Sequence, residues 1–125
     1  MSNRLIATGA ILAFTAVALG AFGAHGLKQH LEANLLEIYQ TAVLYHMVHA
    51  LGVVLIGIIW QQRLDDARLR WSGVSLALGT LIFSGSLYLL AISGLRWLGA
   101  ITPLGGVLFL IGWGLLAAAM IRPRK

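Results

Sequence analysis

The chain has 125 residues, of which 59% are hydrophobic and 10% are charged, and its net charge is +5 at pH 7. This composition excludes an ordinary soluble domain, and the length leaves room for one compact domain only, residues 1–125. The absence of cysteine excludes disulfides, thiolate metal sites and cysteine nucleophiles.

Four long apolar runs predict four membrane-spanning helices, at residues 5–24, 39–60, 71–92 and 97–121. Each run is near or above the ~20 residues with which an α-helix crosses a hydrocarbon core of ~30 Å. The predicted fold is therefore all-α, a transmembrane four-helix bundle. The first run stays apolar through Ala24, which makes it longer than the usual hydrophobic region of a signal peptide. We therefore expect a retained span and not a cleaved signal peptide.

Small residues recur at helical spacing along the first span. They are Gly9, Ala13, Ala16, Gly20 and Ala24. Small residues let helix backbones approach closely in lipid, where no hydrophobic drive brings helices together. We expect this stripe, together with Gly105 and Gly106 of the fourth span, to form helix-packing contacts within one bundle. A contact between copies of the chain, giving a homo-oligomer, is the alternative.

The first external loop, residues 25–38, has its own apolar repeat. Leu27, Leu31, Leu35 and Ile38 recur at steps of four or three, and the charged residues lie mostly on other faces. This pattern predicts a short amphipathic helix on the membrane surface. Gly26 is expected to end the first span before it.

Two shorter loops separate the remaining spans. The loop of residues 61–70 carries Asp65, Asp66 and three arginines, and we expect a solvated turn whose ion pairs contribute little stability. Residues 93–96 form a tight turn, which makes the third and fourth spans antiparallel neighbours. Pro103 lies in the first turns of the fourth span, where it is expected to kink the helix or free a carbonyl.

The basic residues predict the orientation in the membrane. Two of them, Lys28 and Arg96, lie on one side, and seven lie on the other: Arg4, Arg63, Arg68, Arg70, Arg122, Arg124 and Lys125. Cytoplasmic segments retain an excess of Lys and Arg, so both termini are predicted to be cytoplasmic. Because topology accounts for the positive charge, we expect membrane lipid as a partner and no nucleic acid.

Polar residues inside the spans form the candidate functional cluster, because each is costly in hydrocarbon. Counting along each span places Thr15, His49 and Thr80 near the bilayer midplane. We expect His49 to be neutral, to face the bundle interior and to hydrogen-bond Thr15 or Thr80. The complete predicted cluster, which includes a second layer nearer the outside, is His25, Tyr45, His46, His49, Thr80, Ser84, Ser86, Tyr88 and Thr102.

Three interpretations of the histidine pair remain open. His46 and His49 are three residues apart on one face of a helix. In the first, both are neutral and hydrogen-bond across the bundle. In the second, they form a site that relays protons or binds a ligand. In the third, they belong to a metal or haem site. No Asp or Glu lies in the spans to complete a metal site, and no catalytic motif occurs. We therefore expect no metal, no cofactor and no enzymatic activity.

Four motifs occur in order along the chain: GAFGAHGL at residues 20–27, Thr41-Ala42 with Tyr45 and His49-Ala50-Leu51, FSGSLY at residues 83–88, and GAITPLGG at residues 99–106. Together they resemble the signatures of the domain-of-unknown-function 423 family over essentially the whole chain. The resemblance implies a small four-span protein of the bacterial inner membrane, with a relative in animal mitochondria. It supplies no function.

The sequence therefore favours a non-enzymatic, multi-pass protein of the bacterial inner membrane that acts in packing or assembly and binds lipid or a membrane-protein partner. One alternative is an oligomeric transporter or channel for protons or small solutes, built on the polar layer around His49. The other is a membrane enzyme or redox protein that uses His25, His46 and His49.

Overall fold

The computed structural model describes residues 2–122 and contains four long helices with two short helical segments between them. All four long helices are long and apolar enough to cross a membrane, and residues 2–122 contain no strand. The predicted all-α fold with four spans is confirmed. The helices are α1 (Ser2–Phe22), α2 (Ala33–Gln61), α3 (Ala67–Ser93) and α4 (Thr102–Ile121); a π-helical turn (Gly23–Leu27) prolongs α1 and a 3₁₀ helix (Arg96–Ala100) precedes α4.

The central pair of the fold is α2 and α3. In their most apolar stretches 44% of the residues are buried within the protein, against 22% in α1 and α4. α1 packs along α2 and α4 packs along α3, so the two outer helices present most of their surface to lipid. Large apolar side chains such as Phe14 and Leu110 are therefore exposed, which costs nothing where the solvent is hydrocarbon.

Glycines set the distances between the helices. A Cβ atom at Gly9 of α1 would lie 2.7 Å from the backbone nitrogen of Val54 in α2. A Cβ atom at Gly105 of α4 would lie 2.5 Å from the backbone nitrogen of Phe83 in α3. Only a residue without a side chain permits either approach, so these two glycines allow the backbones themselves to meet.

The other predicted packing residues do not all share this environment. Ala16 is fully buried, Ala13 packs partly against the core, and a Cβ atom at Gly20 would lie 3.2 Å from Val43. By contrast, Ala24 is exposed and the space beside Gly106 is open. The π-helical turn that begins at Gly23 shifts the small-residue stripe before it reaches Ala24. Gly106 follows Gly105 by one residue and therefore points away from α3.

The prediction of a separate amphipathic helix in the first loop, residues 25–38, is wrong. Residues 25–27 belong to the π-helical turn, so Gly26 does not end the helix, and α2 begins at Ala33. Leu35 and Ile38 therefore lie in the first turns of α2, where Leu36 N–H donates to the Glu32 carbonyl over 2.9 Å. Each additional helix would leave further unpaired N–H and C=O groups at its ends, whereas extending α2 pairs them.

The loop between α2 and α3 is a structural joint and not merely a solvated turn. Asp66 is 1% exposed, and its side chain accepts from the Arg68 backbone N–H over 3.1 Å at the start of α3. The Arg68 guanidinium pairs with the same carboxylate at 3.0 Å and donates to the Ala118 carbonyl at 3.2 Å. Arg63 donates to the Ala119 carbonyl at 3.3 Å. Two cations thus satisfy the last carbonyls of α4 and oppose its dipole.

The tight turn predicted at residues 93–96 follows α3 directly, but it leads into the 3₁₀ helix Arg96–Ala100, and α4 begins only at Thr102. α3 ends at Ser93, and Gly94 follows with φ 75°, a left-handed conformation that favours glycine. Pro103 lies in the first turn of α4, where its missing N–H would have no helical partner, so no helical hydrogen bond is lost there. α3 and α4 are consequently antiparallel neighbours.

Gly105→Ala is expected to destabilise the protein by about 1–3 kcal/mol, because the added methyl group overpacks the contact between α3 and α4. Gly106→Ala is the matched control, since nothing lies within 4 Å of its Cβ position and alanine favours the helix. Thermal unfolding of the purified variants in detergent, followed by circular dichroism, measures the difference. Equal Tm values for the two variants would contradict this helix contact.

Candidate functional site

A groove runs between α1 and α3, which contact each other only sparsely, and α2 forms its floor. Within the groove lies a cavity of about 180 Å³. His46 lies at the floor, and the walls carry Thr15 of α1 and Thr80 and Tyr88 of α3. This cavity gathers more of the predicted polar residues than any other place in the described part of the chain.

The position of His46 follows from the geometry of α2. Three residues separate His46 from His49, which places their side chains about 60° apart around the helix axis. His46 faces the gap between α1 and α3, whereas His49 faces α4. Both histidines are buried, so each needs its own hydrogen-bond partners.

The groove is organised by a chain of hydrogen bonds through His46. Its Nδ1 lies 2.8 Å from the Tyr88 hydroxyl, and its Nε2 lies 3.1 Å from Thr15 Oγ1. The Thr15 hydroxyl donates its one proton to the Leu12 carbonyl over 2.9 Å, so Thr15 Oγ1 must accept from Nε2–H. In the neutral imidazole, the form that burial in a membrane span favours, Nδ1 accepts from the Tyr88 hydroxyl. This assignment pairs both ring nitrogens of a neutral His46.

Tyr39 closes the end of the network nearest the start of α2, a role that the sequence did not reveal. Its side chain is 1% exposed, and its hydroxyl donates to the Leu19 carbonyl of α1 over 2.5 Å. Its ring centroid lies 5.1 Å from that of Tyr88. Gly23 makes room, because a Cβ atom there would collide with the Tyr39 ring. The sequence feature that could have identified Tyr39 is its spacing, because it precedes His46 by two helical turns and so lies on the same face of α2.

The remaining hydroxyls of the predicted cluster are bonded elsewhere. Ser84 donates to a carbonyl of α2 over 2.8 Å, and Thr80 donates to a carbonyl one turn back in α3, also over 2.8 Å. Ser86 and Thr102 hydrogen-bond each other over 2.5 Å and so connect α3 to α4. No buried polar side-chain atom among residues 2–122 lacks a partner.

The predicted hydrogen bond from His49 to Thr15 or Thr80 is wrong. His49 Nδ1 instead donates to the Tyr45 carbonyl, 2.8 Å away in its own helix. The imidazole stacks on Phe109 of α4, with ring centroids 3.6 Å apart and an angle of 10° between the planes. A carbonyl one turn back satisfies the N–H locally, so the ring is free to pack against an aromatic face.

The other predicted site residues do not extend the network. His25 is exposed in the π-helical turn. Tyr45 is also exposed, and its ring centroid lies 5.9 Å from that of His49. Within residues 2–122, no three His, Asp or Glu side chains are grouped so that they could hold a metal ion. The arrangement therefore consists of one histidine hydrogen-bond network and one separate aromatic stack.

Comparisons with known proteins give a consistent family. The model of a family described as "Protein of unknown function (DUF423)" matches residues 19–106. The chain is 46% identical to a UPF0382 membrane protein of Staphylococcus epidermidis over 117 residues, which cover 94% of each chain. It is 43% identical to the UPF0382 inner membrane protein YgdD of Escherichia coli K12 over 124 residues, 99% of this chain and 94% of the relative. No solved structure matches the chain.

Tyr88→Phe is expected to destabilise the protein by about 1–3 kcal/mol, because it leaves the buried Nδ1 acceptor of His46 without a donor. Tyr45→Phe removes the same hydroxyl at a position that makes no hydrogen bond within residues 2–122, and it should change stability little. Unfolding of both variants in detergent micelles is the measurement. A loss of the same size in Tyr45→Phe would refute the assigned role of the Tyr88 hydroxyl.

Proposed function

This chain belongs to the DUF423 family, and from that premise we propose that it is a non-enzymatic binding or assembly protein of the bacterial inner membrane. Its groove between α1 and α3 is the proposed binding surface, and its partner is lipid or a membrane-spanning helix. The inner-membrane assignment is supported by the name of the Escherichia coli relative and by the four apolar helices.

The observation that carries the proposal is a groove that opens sideways into the bilayer while its polar groups are already paired. Leu81, on the rim of the groove, is 62% exposed, and His46 at the floor has both ring nitrogens occupied. A catalytic acid or base must have an atom within reach of the proton that it transfers. Because both ring nitrogens of His46 already have partners, His46 has no free atom with which to transfer a proton. The groove therefore favours the binding of a lipid or a helix over catalysis.

The transport alternative has less support. It required a polar layer around His49, but Phe109 and Trp113 lie against that side chain, with ring centroids 3.6 and 5.8 Å away. An aromatic environment of this kind offers neither a water path nor a sequence of proton acceptors. The enzymatic alternative needed His25 beside His46 and His49, and His25 is exposed in the π-helical turn.

We also propose that both termini are cytoplasmic. Within the described residues, one end of the bundle carries five arginines and the opposite end carries Lys28 and Arg96. Arg124 and Lys125, which contributed to the predicted bias, lie outside the described residues. The five arginines are Arg4, Arg63, Arg68, Arg70 and Arg122. An excess of basic residues on one side supports a cytoplasmic location for that side.

Reporter fusions test this orientation. Fusions after Lys125 and within residues 61–70 should report the cytoplasm, and a fusion within residues 28–32 should report the periplasm, because basic segments are retained inside. A reporter that is active only in cytoplasm and one active only in periplasm should give opposite patterns. A periplasmic signal from the C-terminal fusion would contradict the proposed orientation.

Photo-crosslinking within living cells tests the groove as a binding surface. A photo-reactive residue in place of Leu81 should give one discrete adduct, with a lipid or a single membrane protein, because a binding groove holds its partner in one position. The matched control is the same residue in place of Leu110, which is 74% exposed on α4. Mass spectrometry identifies the adducts. The same diffuse set of adducts from both positions would contradict a binding role for the groove.

A further inference from the structure

Helices α1 and α3 run on from the level of His46 to the end of the bundle at which α1 begins. A second cavity, of about 240 Å³, lies there between the same two helices. Its lining includes Arg4 and Thr8 of α1, Trp60 of α2, and Arg70 and Val74 of α3. Residues that line the two cavities follow one another along α1 at steps of three or four, and therefore share one face of the helix: Arg4, Thr8, Leu12, Thr15 and Leu19. The two cavities therefore lie one after the other on the same side of α1, between α1 and α3.

Four of the five described arginines at this end divide into two pairs. Arg63 and Arg68 donate to the last carbonyls of α4 and are part of the joint that ends that helix. Arg4 and Arg70 are exposed and line the groove, and neither forms an ion pair within residues 2–122. Asp65 shares a neighbouring cavity with Arg70 without an ion pair between them. The Arg70 guanidinium also lies over the Trp71 ring, 5.0 Å from the ring centroid. This contact uses the face of the guanidinium and leaves its N–H edge free, so both arginines keep N–H donors at the mouth of the groove.

The dimensions of the groove match one leaflet of a bilayer. Eleven residues of helix separate Arg4 from Thr15, a rise of about 16 Å, which is close to half of a hydrocarbon core of ~30 Å. Leu5 and Val74 line the groove near its mouth, and Leu12 and Leu81 line it further along. The lining is therefore basic at the level of the lipid head groups and mostly apolar through the depth of one leaflet, with Thr8 along it and the hydrogen-bonded groups around His46 at its far end.

We propose that this groove binds one anionic phospholipid. Its phosphate lies between Arg4 and Arg70, and one acyl chain follows α1 and α3 towards His46. Arginine suits this role because its planar guanidinium donates two parallel hydrogen bonds to phosphate oxygens. Trp60, which lines the mouth, is the kind of residue that lies at the membrane interface. The proposal rests on the binding function proposed above and names the class of its ligand.

Native mass spectrometry of the full-length protein in detergent tests the head-group preference. The protein is titrated with phosphatidylglycerol and with phosphatidylcholine of the same acyl chains, and we expect tighter binding of phosphatidylglycerol. Arg70→Gln should weaken phosphatidylglycerol binding about fivefold, the effect of one basic residue near an anionic membrane surface. It should weaken phosphatidylcholine binding less, because the choline cation offsets the attraction of its phosphate to arginine. Equal binding of the two lipids by the unaltered protein overturns the proposal.

Arg122→Gln separates a built site from general surface charge. It removes one positive charge from the same end of the bundle, at an exposed residue outside the cavity lining. We expect Arg122→Gln to bind phosphatidylglycerol as the unaltered protein does. Equal weakening by Arg122→Gln and Arg70→Gln overturns the proposal, because the attraction would then belong to the whole surface.

A second pair of variants tests the path of the acyl chain. Thr8→Trp fills the groove below the arginines, whereas Ala7→Trp places the same side chain on a neighbouring, exposed position outside the groove. Because both positions are exposed, both variants should fold, which the Tm checks. Only Thr8→Trp should lose phosphatidylglycerol. Retention of the lipid by folded Thr8→Trp overturns the acyl-chain path.

The photo-crosslinking at Leu81 keeps the two proposals apart. If the protein binds phosphatidylglycerol and phosphatidylcholine equally, while the photo-reactive residue at position 81 crosslinks a single membrane protein, the lipid inference fails and the binding function stands. If Leu81 and Leu110 give the same adducts and no lipid is preferred, both proposals fail.

Discussion

In the hydrocarbon core of a bilayer no water is available to a polar group, so each hydroxyl, imidazole and carbonyl must find its partner within the protein. This constraint explains how the polar side chains of the chain are arranged. Ser84 bonds a carbonyl of α2, Ser86 bonds Thr102, and His46 is held at both nitrogens by Tyr88 and Thr15. These hydrogen bonds also connect neighbouring helices, whereas Thr80 and His49 bond carbonyls of their own helices.

The packing of the helices obeys the complementary condition. Lipid is as apolar as leucine, so apolar side chains gain little by leaving it, and helices associate through close van der Waals contact. Gly9 brings α1 against α2, and Gly105 brings α4 against α3. α1 is thereby attached mainly to α2, and the space between α1 and α3 remains as a groove. The proposed binding surface is a consequence of where the glycines lie.

The two histidines illustrate how far a sequence pattern reaches. The depth of His49 in its span predicted that this side chain faces the bundle interior, and it is buried, as is His46. Spacing could not assign their partners, since each depends on how α2 is rotated relative to α1, α3 and α4. A difference of about 60° sends His46 into the hydrogen-bonded groove and His49 onto the face of Phe109. Tyr39 was overlooked for the same reason, because its partner, the Leu19 carbonyl, belongs to another helix.

The sequence by itself determined the class of the protein, its four spans, the tight turn before α4 and its family, because hydropathy, length and ordered motifs are local properties of the chain. Tertiary structure alone decided that residues 33–38 extend α2, that Asp66 is a buried cap, and that Arg63 and Arg68 end α4 while Arg4 and Arg70 face the groove. All four arginines look alike in the sequence. Their roles differ because a hydrogen bond depends on the distance and direction to an atom of a different helix, which only the packed bundle fixes.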